Sequence, residues 1–97
     1  MKYPFILRPL TSGEVELRFP DLVGARATFP SERSGALQAI TVLIESVRDR
    51  QVNRRRVPLP STVGPADMHV ALPDDLVEAI HNHNKMLEMS GEIQDQA

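Results

Sequence analysis

The sequence predicts an α+β domain, a three-stranded antiparallel meander covered by one packed helix, and three observations carry that expectation. Residues 14–19 alternate strictly, with Val15, Leu17 and Phe19 on one face and Glu14, Glu16 and Arg18 on the other. That is the pattern of a half-buried antiparallel strand. Ala36, Ile40, Leu43, Ile44 and Val47 recur at i, i+4, i+7, i+8 and i+11, which defines one apolar stripe on a helix. Turn chemistry separates the strand candidates, Thr11-Ser12-Gly13 after the first and Pro20 to Gly24 after the second.

The first strand is expected over Lys2 to Leu10, with Tyr3, Phe5 and Leu7 on one face and Pro4 suited to an edge or a strand start. The second, Glu14 to Phe19, pairs with it through a short hairpin. The third, Ala25 to Phe29, turns Ala25, Ala27 and Phe29 inward. In the intervening loop proline sets φ, Asp21 caps local backbone and Gly24 takes a positive φ. Ser31 to Ser34 supply N-cap candidates and Glu32 favours a helix N-terminus. The helix is expected over residues 33 to about 52, because Val57-Pro58 and Leu59-Pro60 forbid its continuation. Three prolines and a glycine in residues 58–67 mark a connecting segment. His69 to Leu72 is a short strand, and Pro73, Asp74 and Asp75 open a second helix with Leu76, Val77, Ile80 and Leu87 on its apolar face. Gly91 is the expected stop, followed by a frayed tail.

Composition bounds the function. Ninety-seven residues with 41% hydrophobic and 25% charged side chains make one globular domain, with residues 1–61 as a core, 62–68 as a linker and 69–97 as a strand-and-helix segment. No cysteine is present, so no disulfide scaffold or thiolate metal site is possible. No stretch has the length of a signal-peptide core or a membrane span, and the chain is read as cytoplasmic. The net charge of −2 divides into +4 up to Val57 and −6 beyond it. Such a chain is not a bulk nucleic-acid binder.

Four motifs follow one another in a definite order. Lys2-Tyr3-Pro4 opens the chain, Phe19-Pro20-Asp21-Leu22-Val23-Gly24 forms the loop, an alanine-bearing helix comes next, and Val57-Pro58-Leu59-Pro60-Ser61 leads out of it. This order and spacing over residues 2–61 resembles the HicB antitoxin family of type II toxin–antitoxin systems. The departures are Ala25 where the family often has cysteine, Phe29-Pro30-Ser31 at the approach to the helix, and Gly35-Ala36 in place of a Glu-Ala pair. The resemblance implies a partial ribonuclease-H-like β-β-β-α-β fold. It also implies a non-catalytic protein that covers the active site of a small basic ribonuclease toxin of the HicA type. Family members continue into a ribbon-helix-helix or a helix-turn-helix. Met68 to Met89 looks like the start of either, and the seven residues after Ser90 are too few for a second, DNA-reading helix.

The candidate partner-binding residues are Glu14, Glu16 and Asp21, outward acids that would complement a basic toxin. Arg48, Arg50, Arg54, Arg55 and Arg56 form a basic cluster, read either as a phosphate or acidic-partner contact or as a solvated helix end. His81 and His83 stand two apart and do not converge on one helix face, and His69 adds no third ligand, so no metal site is expected. No catalytic residue and no cofactor is expected. The alternatives are an operator-binding transcriptional regulator or autorepressor using residues 68–90, and a divergent nuclease using the acids. The apolar face of the second helix has no second helix to cover it, so a homodimer or higher homo-oligomer is expected.

Overall fold

The computed structural model describes residues 1–90; the stop expected at Gly91 and the tail expected over 92–97 lie outside the described residues. The architecture is α+β. In chain order the elements are β1 (Lys2–Pro4), β2 (Ile6–Pro9), β3 (Val15–Arg18), β4 (Arg26–Phe29), α1 (Glu32–Val52), β5 (His69–Ala71) and α2 (Asp74–Ser90). β2, β3 and β4 form the expected antiparallel meander, with Leu17 opposite both Leu7 and Ala27. Its first hairpin closes through Leu10 N–H to Glu14 C=O at 2.8 Å, with Gly13 at φ +93°. A three-residue loop ending in a left-handed glycine is a common solution for such a hairpin.

The single first strand expected over residues 2–10 is divided at Phe5. β1 pairs antiparallel with β5, Tyr3 lying opposite Val70, while β2 pairs with β3. The Phe5 N–H donates to Met68 C=O at 3.0 Å, and the Leu72 N–H donates to Met1 C=O at 3.1 Å. Antiparallel ladders alternate, so Tyr3 and Phe5 turn their backbone groups toward β5 and Pro4 turns its missing N–H to the other side. On that side β3 has already ended, so the proline costs no ladder bond.

α1 covers the inner face of the sheet. Ser31 is its N-cap, its side chain accepting from Ser34 N–H at 3.1 Å. The buried line is Gly35, Ala39, Leu43, Val47 and Arg50. The stripe read from the sequence is therefore rotated: Ala36 is exposed, and Ile40 and Ile44 are half-buried. The rotation follows from the missing side chain at Gly35. A Cβ there would lie 3.0 Å from Leu7 Cδ2 and 3.5 Å from Phe29 Cδ2, so glycine lets the helix backbone settle onto β2 and β4.

Past Val52 the helix ends in a Schellman arrangement. Arg55 N–H reaches Arg50 C=O at 2.8 Å, Arg54 N–H reaches Gln51 C=O at 3.2 Å, and Arg54 takes φ +55° where glycine is usual. Leu72 and Ile80 belong to the same buried cluster as Tyr3, Phe19 and Leu43. The strand and helix after residue 68 thus share one core with residues 1–61.

Candidate partner-binding surfaces

The sheet alternation that turns Val15 and Leu17 under α1 turns Arg8, Glu14, Glu16, Arg18, Arg26 and Thr28 to the opposite face. On that outer face Glu14 is exposed and, among the described residues, its carboxylate takes only a Ser12 hydroxyl hydrogen bond at 3.2 Å. Glu16 is already engaged. Its carboxylate accepts from Arg8 at 3.0 Å, and its side chain is 19% exposed against 66% for the arginine. Arg18 and Arg26 stand opposite each other beside the pair. The face carries three arginines and two glutamates, so it is less acidic than its second strand alone implies.

Asp21 is not part of that face. Its carboxylate accepts from Ser61 N–H at 2.8 Å and from the Ser61 hydroxyl at 2.9 and 3.1 Å. It caps a segment forty positions away rather than its own loop, which corrects its expected local role. Glu14 and Asp21 bracket β3 from opposite ends, and residues 14–19 alone span about 17 Å at the strand's rise per residue. They cannot share a metal ion. Among the described residues no three His, Asp or Glu side chains gather as a metal site.

The loop itself is two consecutive turns, Leu22 N–H to Phe19 C=O at 3.0 Å and Ala25 N–H to Leu22 C=O at 2.9 Å, with Gly24 at φ +89°. They drive Leu22 wholly into the core and leave Val23 at the tip. Arg50 pins that tip, its guanidinium donating to Val23 C=O at 2.9 Å. Arg50 is only 7% exposed, so the basic cluster is not a uniformly solvated helix end. Burial lowers its pKa, and the adjacent Arg55 charge lowers it further, while Asp49 works the other way. Arg56 pairs with Glu88 at 2.9 Å.

The segment after α1 is held on both sides. Tyr3 donates its hydroxyl to Pro58 C=O at 2.6 Å. Burial pushes that phenol up to about 12, helped by the Asp21 charge and opposed by Arg50. From α2, His83 Nε2 meets Arg55 C=O at 2.7 Å, which makes that nitrogen the protonated one. Asn84 accepts from Val57 N–H and donates to Val57 C=O, both at 2.9 Å. Ile80 and Leu87 are buried within the chain itself, so the covering that was expected from a second copy is supplied in cis. What α2 leaves exposed is a different pair, Met86 at 69% and Met89 at 77%.

Sequence reasoning missed Arg50, Ser61 and Asn84 as structural contacts. Two of them carried a signal: Arg50 follows Val47 by three on the buried stripe, and Asn84 falls between Ile80 and Leu87 on that of α2. A polar side chain at a stripe position marks a buried hydrogen-bonding role. Among the described residues no helix is long and apolar enough to cross a membrane. No family model and no curated protein matches the chain.

Proposed function

We propose that the chain is a non-catalytic binding protein of antitoxin type, which neutralises a small basic ribonuclease of the HicA type by covering its active site. The observation that supports this reading best is the convergence of the motifs. Tyr3 from the opening motif grips Pro58 of the exit motif, and Asp21 of the loop motif grips Ser61. Residues spaced across the resembled pattern thus brace one another, and the sheet they support keeps its outer face free of α1. On that face Glu14 is the free acid for a basic partner, and Glu16 contributes once Arg8 is displaced. Asp21 contributes by holding the loop.

Stoichiometric silencing tests the reading. A HicA-type toxin mixed with the purified chain is expected to bind it and lose RNA cleavage at a one-to-one ratio, with association slowed by salt. Exchanging Glu14 for lysine is expected to slow association more than the same change at Glu16, which also breaks an internal pair. RNA cleavage by the chain alone, dependent on a divalent metal, would replace this reading with the nuclease; operator binding without toxin binding would replace it with the regulator. Self-association rests on the exposed Met86 and Met89, and light scattering at concentrations well above a ~μM dissociation constant reads it directly.

A further inference from the structure

A groove of about 530 Å³ lies between the free edge of β4 and the C-terminal half of α1. The helix runs antiparallel to the strand. Gly35 lies against Phe29 at one end, and Arg50 is bonded to Val23 at the other. Ala27 and Val42 line the middle, and Arg26, Arg50 and Arg55 gather at the Val23 end.

The strand wall is a row of backbone groups. Phe19 N–H donates to Ala25 C=O at 3.0 Å, which sets the alternation along β4. Ala25, Ala27 and Phe29 turn their N–H and C=O groups to β3, and Arg26 and Thr28 turn theirs outward. No backbone hydrogen bond reaches that outer edge among the described residues. An edge of this kind beside a helix is a template for strand addition, in which the main chain supplies affinity and side chains supply selectivity.

We propose that this groove takes an extended peptide segment ending in acidic residues, which adds to β4 as a fourth strand of its sheet. The charges select that occupant. The side chains of Arg26 and Arg55 meet no ion-pair partner among the described residues. Arg50 gives its guanidinium to Val23 and Ser46 carbonyls and keeps N–H groups to spare. Glu45 and Asp49 line the helix wall, and Asp49 already accepts from the Asn53 amide at 3.2 Å. The carboxylates of the guest therefore belong at the arginine end, and its neutral residues belong beside Val42 and Glu45. A second copy of this chain fits poorly, because it would bring its own Arg26 against a cationic edge. The groove meets the outer face that carries Glu14 only at Arg26, which stands opposite Arg18 at the β4 edge, and the inference does not rest on the toxin reading.

The test uses a fluorescent acetyl-Thr-Val-Thr-Val-Glu-Glu peptide, a version ending in two lysines, and a version N-methylated at alternate residues. The acidic peptide is expected to bind saturably and to slow amide exchange at Arg26 and Thr28. Either N-methylation or the exposed substitution Arg55→Glu is expected to weaken it about tenfold or more, the scale of one lost charge-assisted contact. Equal binding of all three peptides, binding without change at Arg26 and Thr28, or no binding overturns the proposal. So does protection of the β4 edge that grows with protein concentration in the absence of peptide, which would assign the edge to a second copy.

Discussion

Asn84 closes two hydrogen bonds on the backbone of Val57, accepting from its N–H and donating to its C=O, each at 2.9 Å. The amide imitates a strand neighbour. Val57 is fully buried in a segment that belongs to no helix or sheet, so its backbone groups have no regular partner and would otherwise be orphaned. One side chain from α2 satisfies both, which ties the second helix to the exit of the first.

Replacing Asn84 by leucine is expected to cost about 2–4 kcal/mol, since a buried N–H and a buried C=O would both lose their partners. Urea unfolding followed by circular dichroism measures it. A loss below about 0.5 kcal/mol, the scale of an ordinary surface change, would mean that α2 is not anchored there.

Tyr3 gives a pH signature that can be read in isolation, because it is the only tyrosine in the chain. Its phenol is held neutral in the folded state, with its pKa raised from 10.0 to about 12. A raised folded pKa contributes stability that is fully present below the unfolded value of 10.0 and is lost as pH climbs toward about 12. Thermal midpoints are expected to fall across that window. Tyr3→Phe should flatten the fall and lower stability at neutral pH by about 1–2 kcal/mol, through the unpaired Pro58 carbonyl. Tyrosinate absorbance that appears at the unperturbed pKa while the chain remains folded would contradict the buried bond.

Asp21 and Ser61 form a couple between a loop and a connecting segment. We expect Asp21→Ala and Ser61→Ala each to destabilise by about 1 kcal/mol, with the double variant costing much less than both together. Additive losses in that cycle would show that the two side chains act independently. Because the loop also carries Leu22 in the core, Asp21→Ala should increase amide exchange at Leu22 and Ala25 before it affects α1.

Arg54 occupies left-handed backbone at the end of α1, φ +55°. Arg54→Gly is expected to stabilise the chain by about 1 kcal/mol, relieving a conformation that costs a residue with a Cβ roughly that amount. Thermal unfolding reads the change. A destabilised glycine variant would mean that the arginine's own contact outweighs the backbone strain.

What the sequence determined by itself is local. The period of two over residues 14–19, the glycine after Thr11-Ser12, the serine at the helix N-cap and the proline barrier after Val57 each act within a few residues, and each element stands where those signals place it. Tertiary structure decided which distant group meets which. β1 pairs with β5 along the edge opposite to β3, the side to which Tyr3 and Phe5 turn their backbone groups, and β5 lies more than sixty positions on. The face of α1 is set by a glycine that seats against Leu7, not by the mean of its apolar residues. Arg50 finds Val23 and Asn84 finds Val57 because buried donors and acceptors must be matched somewhere, and Asp21 meets Ser61 at the surface because the fold brings the loop and the connecting segment together. Periodicity tells a side chain to turn inward; only the packed chain presents the carbonyl or amide that it meets.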